Sequence, residues 1–196
     1  MADQSDIELM FSLKRGDRRA LSVLFERYER PLVHFLAQML GNEAEAADLF
    51  QETFLRVLRA AKTWEPKAAF STWVYTIARN LALDRLKKVH GLPTVALEGD
   101  EEDEGSLRET LPAATADPGD SAGIRELATV VRGALRQLPP KKREVLFLRV
   151  YQGLPYEEIA RIVNAPLGTV KYRIHDALKS LAVIVNAAVA PGPQGV

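Results

Sequence analysis

The stretch that decides the fold is EEIARIVNAPLGTVKYR, residues 157–173. Ile159, Ala160 and Val163 place apolar side chains at helical spacing. The Asn-Ala-Pro segment then interrupts the pattern, because the residue before a proline is disfavoured in the helical region. A second helix is predicted from about Leu167. The stretch is therefore typical of a helix-turn-helix, although an ordinary helical hairpin in a core gives a similar pattern.

The second helix of this motif has one apolar face and one polar face. Its inward positions, three and four residues apart, are Val170, Ile174, Ala177, Leu178 and Leu181. Its outward positions are Thr169, Tyr172, His175, Asp176 and Lys179. A short rigid helix with such an outer face suits the major groove of DNA, and Lys171 and Arg173 lie on its flanks. The pattern predicts a DNA-reading helix without determining which bases it prefers.

Composition describes a small protein whose charges are balanced overall but locally segregated. The chain has 196 residues, in which 26 Lys and Arg balance 26 Asp and Glu, and it has no cysteine. Disulfides, thiolate metal sites and cysteine nucleophiles are therefore excluded. Acids crowd into 98–104, whereas 79–88 and 139–143 are basic. Without a signal peptide or a long apolar run, we expect a cytoplasmic protein with no membrane insertion.

The chain divides into two helical blocks, so the predicted fold class is all-α. Helices are expected near 6–15, 17–40, 43–61, 70–88, 124–137, 140–151, 155–163 and 167–189. The predicted domains are 1–90 and 124–190, joined by 91–123 and followed by a tail at 191–196. The joining segment is acidic and rich in Gly and Pro, and we expect it to be flexible, because it cannot bury enough apolar surface to offset its ordering entropy. Pro31 could kink or split the second helix.

The third helix has an outer face of mixed character. Its predicted inward stripe is Ala46, Ala47, Phe50, Phe54, Val57, Leu58 and Ala61. Its opposite face presents Asp48, Gln51, Glu52, Leu55 and Arg59. Isolated exposed leucines are common and often carry no function. Here the acid and amide groups around Leu55 make a mixed patch that suits docking of another protein.

The fourth helix mixes aromatic, amide and basic residues. Its predicted apolar face is Phe70, Trp73, Val74, Ile77 and Leu81. Tyr75 and Arg79 are expected away from that face, with Asn80 on its flank. The helix ends with the cations Arg85, Lys87 and Lys88. These charges either complement the helix dipole or contact phosphates. The preceding loop, which contains Trp64, could form a pocket for an unstacked base.

Three motifs together resemble a bacterial extracytoplasmic-function (ECF) sigma factor. They are Asp48–Phe54, Phe70–Asn80, and Glu157–Ala160 with Gly168–Lys171. Their order and separation match that family's plan of sigma domain 2, linker and sigma domain 4, with no sigma domain 3. The resemblance covers nearly the whole chain. It implies a non-enzymatic factor that confers promoter specificity on RNA polymerase and needs no cofactor or metal.

The resemblance also assigns a partner to each polar surface. The β′ clamp helices of the core polymerase would bind to a surface on this chain formed by Asp48, Gln51, Glu52 and Leu55. The −10 promoter element would be captured by Trp64, Tyr75, Arg79, Asn80, Arg85, Lys87 and Lys88. The −35 element would be read by Thr169, Lys171, Tyr172, Arg173, His175 and Lys179, beside a contact to the β flap. An anti-sigma factor is a further expected partner. The acidic linker would thread the polymerase cleft, either as a phosphate-backbone mimic or only as a soluble tether.

Other function classes fit the sequence less well. His34, His90 and His175 lie far apart without ligands at metal-binding spacing, and the carboxylates of Asp48 and Glu52 lack a histidine partner. The main alternative is a helix-turn-helix transcriptional regulator that acts without forming a holoenzyme. Such a regulator usually carries a βα receiver or sensor domain, and this N-terminal block shows no alternating strands. A helical partner-binding module without DNA contact is the third possibility.

Overall fold

The computed structural model describes residues 4–90 and 121–189, and it confirms the all-α prediction for them. Their helices are α1 (Asp6–Lys14), α2 (Arg18–Leu40), α3 (Glu43–Ala60), α4 (Phe70–His90), α5 (Ser121–Gln137), α6 (Pro140–Val150), α7 (Tyr156–Val163) and α8 (Leu167–Val189). None of these eight helices is long and apolar enough to cross a membrane. Two segments lie outside the described residues: the acidic run at 98–104, predicted to act as a phosphate-backbone mimic or as a soluble tether, and the tail at 191–196.

Side-chain caps set where the first helices begin. The Ser5 hydroxyl accepts a hydrogen bond from the Glu8 N–H at 3.3 Å, and the Glu8 carboxylate accepts one from the Ser5 N–H at 2.8 Å. Asp17 caps α2 by accepting from a backbone N–H. The helix ends at Gly41, whose φ of 73° is a left-handed conformation that glycine adopts without strain. Pro31 lies inside α2 and does not split it.

Helices α1–α4 form the N-terminal bundle, whose core is rich in aromatic rings. Phe25 on α2 lies 4.6 Å from Phe50 and 5.2 Å from Phe54, measured between ring centres. The Tyr28 hydroxyl donates a hydrogen bond to the Asp6 carboxylate and so ties α1 to α2. Burial and this hydrogen bond raise the pKa of Tyr28 far above its ordinary value. The tyrosine therefore acts as a fixed donor in this bundle.

The buried face of α3 differs slightly from the predicted stripe. Its buried members include Ala46, Phe50, Phe54, Val57 and Ala61, as expected. Ala47 and Leu58 are exposed, so the prediction is wrong for these two. Leu49 and Thr53 are buried instead. The face of α3 that contacts the bundle is therefore rotated slightly about the helix axis from the predicted stripe. The Thr53 hydroxyl donates to the Leu49 carbonyl at 2.7 Å, which satisfies its polar group inside the core.

Helices α5–α8 form the C-terminal bundle, and α7 and α8 make the predicted helix-turn-helix. The turn begins at Asn164, whose φ of 51° is left-handed. The Ala165 N–H then donates to the Ala160 carbonyl at 3.1 Å, closing the end of α7. Ile159 on α7 and Val170 on α8 are fully buried between the two helices and their neighbours. The break predicted at 164–166 is confirmed.

The two bundles pack against each other and share one continuous apolar core. Helix α4 lies on α7, and α2 lies on α6. Phe147 on α6 is buried with its ring 4.9 Å from that of His34 and 5.8 Å from that of Phe35. The sequence pattern did not predict that the two bundles pack together. This packing places part of α4 against α7, the first helix of the helix-turn-helix.

Candidate protein and nucleic-acid interfaces

The outer face of α3 is available for contact with another molecule. Asp48, Gln51 and Leu55 are exposed, as predicted, and Glu52 is half-buried. The Glu52 carboxylate accepts a hydrogen bond from the Arg56 guanidinium at 3.2 Å, one turn along the helix. Exposed pairs of this kind contribute little to stability, about 0.3–0.5 kcal/mol. Breaking the pair to engage a partner would therefore cost little.

An open apolar groove of about 320 Å³ runs beside this face. It is lined by Leu21, Phe25, Gln51, Phe54, Leu55 and Leu58. Leu55 is 46 % exposed and Leu58 41 % exposed, so two leucines one turn apart form an apolar patch and are not isolated exposed residues. The groove brings two predicted docking residues, Gln51 and Leu55, together with apolar side chains of α2. The contributions of α2 and Leu58 were missed, because a pattern within one helix does not show which helix lies beside it.

The C-terminal half of α4 presents several of the predicted −10 residues. Asn80 and Lys88 are exposed, and Lys87 is half-buried. The Arg85 guanidinium lies 3.5 Å from the carboxylate of Glu45 on α3. This weak ion pair leaves Arg85 near the surface, close to the other cations. The helix end therefore combines an exposed amide with positive charge, which suits a nucleic-acid strand.

The structure buries Trp64 and Tyr75, whereas the sequence predicted both to be available for DNA contact. Trp64 is 6 % exposed, and its ring lies 5.9 Å from Phe11 and 6.2 Å from Trp73. Tyr75 is 1 % exposed and packs on Phe35 at 5.2 Å. The expectation that Tyr75 lies away from the buried face is therefore wrong. Burial also raises its pKa well above the usual range. In this arrangement both rings belong to the core of the N-terminal bundle.

The recognition face of α8 lies on the outside of the C-terminal bundle. Lys171, His175 and Lys179 are exposed. The remaining predicted members are half-buried: Thr169, Tyr172 and Arg173. Val170, Ile174 and Ala177 are buried on the opposite side, as the spacing predicts. The helix therefore presents a polar face while its apolar face holds it to the bundle, as a major-groove helix requires.

The Tyr156 ring contacts two cations near the start of α8. The ring centre of Tyr156 lies 4.8 Å from the Arg149 guanidinium and 5.9 Å from the Lys171 ammonium. Both distances lie within the range of cation–π attraction. The Arg149 guanidinium also donates to the Leu154 carbonyl at 3.2 Å. Arg149 and Tyr156 were missed as contributors to this surface, because they lie on α6 and α7.

Comparison with known proteins agrees with this geometry. Sigma-70 region 2 matches residues 24–90, and sigma-70 region 4 matches residues 129–181. The ECF RNA polymerase sigma factor SigW of Bacillus subtilis (strain 168) is 33 % identical over 171 residues, which cover 86 % of this chain and 90 % of that protein. The chain belongs to the ECF group of the sigma-70 family. As an ECF sigma factor it directs RNA polymerase to promoters and catalyses no reaction of its own.

Solved structures show that this ECF sigma factor shares its fold with known ones. CnrH, solved in complex with the cytosolic domain of CnrY, aligns with a TM-score of 0.66 at 22 % identity, covering 94 % of this chain and 99 % of that chain. RpoE of Bartonella quintana, solved with the anti-sigma factor NepR, aligns with a TM-score of 0.61 at 21 % identity, covering 89 % and 98 %. At these identities the likeness establishes the fold alone.

Proposed function

We propose that this ECF sigma factor uses three separate surfaces, on α3, α4 and α8. Domain 2 would occupy residues 1–90 and domain 4 residues 124–190. The outer face of α3 would bind the β′ clamp helices of the polymerase, the end of α4 would capture the −10 element, and α8 would read the −35 element. The three surfaces lie on different helices, so each can be changed without directly altering the others.

The observation that carries the polymerase assignment is the groove between α2 and α3. Its exposed leucines, Leu55 and Leu58, provide an apolar centre, and Gln51 adds a polar contact at its edge. Asp48 is exposed on the same outer face of α3. An apolar centre with a polar rim is the usual anatomy of a protein interface. A partner helix that presents apolar and basic side chains would complement this surface.

The α4 surface would act after docking by holding unpaired bases. Asn80 supplies an amide that can hydrogen-bond a base edge, and Arg85, Lys87 and Lys88 supply phosphate contacts. Binding energy gained only with the melted strand shifts the equilibrium from duplex to open promoter. No covalent step is needed. Trp64 and Tyr75 would support this surface from the core.

Domain 4 would anchor the complex upstream. Tyr172 and His175 would contact base edges, whereas Lys171, Arg173 and Lys179 would contact phosphates. The same bundle would touch the β flap. An anti-sigma factor is proposed as a further partner, supported by the complex in which the Bartonella protein was solved. Because polymerase and promoter DNA are its partners, the proposed location is the cytoplasm.

Assembly with core polymerase tests the docking assignment directly. Leu55→Ser should weaken holoenzyme formation, measured by fluorescence anisotropy, because it removes the exposed apolar centre of the groove. Ile7→Ser is the matched control, since Ile7 is 41 % exposed on α1 and does not line the groove. Equal affinities of the two variants would reject the groove as the polymerase site.

A further inference from the structure

A group of positive charges lies where α1 meets α2. Four of the six residues at 14–19 are basic, in a chain with no net charge. They are Lys14, Arg15, Arg18 and Arg19, and all four are exposed. Within residues 4–90 and 121–189, no acid forms an ion pair with any of them. We propose that this basic corner binds backbone phosphates of the DNA strand that flanks the bases held on α4. This role extends the proposed function of α4 and rests on it.

Backbone hydrogen bonds fix the shape of the basic corner. The Gly16 N–H donates to the Leu13 carbonyl at 2.9 Å, and the Asp17 N–H donates to the Ser12 carbonyl at 3.0 Å. Gly16 has a φ of 101°, a backbone conformation that glycine adopts without strain. The turn between α1 and α2 is therefore short and held in one shape, so its cations are presented from a fixed frame.

The charges at the start of α2 do not serve the stability of that helix. Arg18 and Arg19 are its first two residues, and its first turn contains no acid. The start of a helix is the positive end of its dipole, so cations are unfavourable there. Helices α1 and α3 of the same bundle each carry two acids in the first turn, as the dipole favours. The two arginines therefore indicate an anionic ligand better than a structural role.

The basic corner is joined to the loop that precedes α4. The Lys14 ammonium donates to the Trp64 carbonyl at 2.9 Å, and the Phe11 ring lies 5.9 Å from the Trp64 ring. The Trp64 ring lies 6.2 Å from that of Trp73, on the first turn of α4. Asn80 follows about 10 Å further along the helix. A strand that contacts Asn80 would therefore need only a few more nucleotides to reach the corner.

The first half of α4 offers no free cation of its own to such a strand. Residues 70–78 contain no basic residue. The Arg79 guanidinium donates to the Glu144 carboxylate at 2.6 Å, and its side chain is only 16 % exposed, so this predicted −10 residue is engaged within the protein. Lys87 and Lys88 lie at the other end of the helix. Phosphates near the start of α4 would therefore find their cations on the basic corner.

An aromatic ring beside these cations favours a nucleic-acid strand over an acidic peptide. Phe11 lies one turn before Arg15 on α1 and is 38 % exposed. Surfaces that bind single strands combine cations for the backbone with aromatic rings on which bases stack. Three of the four cations are arginines, whose planar guanidinium matches the geometry of phosphate oxygens. The corner thus provides both kinds of contact that an unpaired strand uses.

Three single-stranded DNA probes test this role with the assembled holoenzyme. One carries only the −10 element of a promoter that the holoenzyme uses, and the others add about ten nucleotides on its 5′ or its 3′ side. One extended probe should bind more tightly than the −10 probe. The double variant Arg18→Gln with Arg19→Gln should remove that gain, because two phosphate contacts are lost. Fluorescence anisotropy of the labelled probes measures each affinity.

Salt dependence shows whether the lost contacts are ionic. Each phosphate contact with a single strand adds about 0.7 to the salt slope. Between about 50 and 200 mM salt, the affinity of the unmodified holoenzyme for the tighter extended probe should fall about sevenfold more than that of the double variant. Arg30→Gln with Arg136→Gln is the matched control, since it removes two exposed arginines outside the basic corner. This control should keep both the gain and the slope.

Two results would overturn the role of the basic corner. In the first, neither extended probe binds more tightly than the −10 probe, or the double variant behaves like the control on every probe. In the second, the double variant assembles more weakly with core polymerase but keeps the gain, which would make the corner a protein contact. Core-polymerase affinity without DNA gives this comparison, and circular dichroism checks that each variant is folded.

Asn80→Ala on the same probes separates this role from the assignment of α4. If α4 holds the −10 bases, Asn80→Ala should weaken binding to all three probes, whereas the double variant affects only the tighter extended one. If Asn80→Ala leaves every probe unchanged while the double variant still loses the gain, the assignment of α4 fails and the basic corner stands as a DNA contact.

Discussion

Asp176 on the recognition helix forms an ion pair with Lys142 near the start of α6. Its carboxylate is thereby directed at the bundle, with a side chain 25 % exposed. An acid on a DNA-reading helix would repel phosphates if it pointed outward. Here its pairing with Lys142 joins α8 to α6, which gives a structural reason for an acidic residue where a basic one suits DNA better.

Asp176→Asn should lower the free energy of unfolding of the C-terminal bundle by about 0.5–1 kcal/mol, because a partly exposed ion pair is lost. Denaturant unfolding of Asp176→Asn, Lys142→Met and the double variant gives the coupling between the two side chains. A coupling of zero would show that the pair does not fix α8.

Replacing Gln51 and Glu52 together with Ala should weaken core-polymerase binding while leaving helicity intact. Both side chains lie on the outer face of α3, so the change in unfolding free energy should be only about 0.5 kcal/mol. Glu29→Gln, an exposed change on α2 outside the groove, serves as control. A folded double variant that binds polymerase like this control would remove Gln51 and Glu52 from the docking surface.

On α8, Tyr172→Ala or His175→Ala should alter discrimination among −35 sequences by roughly 1–3 kcal/mol wherever a base contact is lost. Lys171→Ala should weaken binding to all sequences similarly and reduce the salt slope by about 1. Competition binding against a set of −35 variants at several salt concentrations separates the two effects. Unchanged preferences in both Tyr172 and His175 variants would mean that another face of α8 meets DNA.

Asn80→Ala should reduce promoter opening more than initial binding, because the amide is proposed to contact an exposed base edge. Permanganate reactivity on duplex and on pre-melted templates measures this difference. The defect should shrink on the pre-melted template if Asn80 assists melting itself. Equal defects on both templates would limit Asn80 to holding the strand afterwards.

Trp64→Ala should lower the free energy of unfolding by about 3–5 kcal/mol, as expected for truncating a buried aromatic residue. Trp64→Phe should recover much of that loss, since it keeps an aromatic side chain against Phe11 and Trp73. Thermal unfolding of both variants provides the comparison. A small loss in Trp64→Ala would indicate that the ring is not a core residue in solution and is available for base stacking.

The sequence predicted the local structure well, because helical periodicity is a local property. Every helix bound lies within three residues of its predicted position, and the break after α7 follows from Pro166, which disfavours the helical conformation at Ala165. The mixed outer face of α3 was likewise visible from spacing. Such features depend only on residues a few positions apart.

Contacts between distant elements could not be predicted in the same way. Helix α4 is packed by α2, α3 and α7, so it buries Tyr75 beside the expected face. The pairing of Arg79 with Glu144 joins residues 65 positions apart and has no periodic trace in the sequence. From the sequence, a basic residue in the middle of α4 is equally consistent with a contact to DNA and with pairing to an acid on another helix. Only the packing of the two bundles distinguishes these outcomes.

Transcription from a promoter library by core polymerase, with and without this protein, tests the central claim most directly. The account predicts new start sites that appear only with the protein and share −10 and −35 sequences at a fixed spacing. Those sites should be lost with the Gln51 and Glu52 double variant and redistributed with His175→Ala. Identical transcripts with and without the unmodified, folded protein would contradict the account.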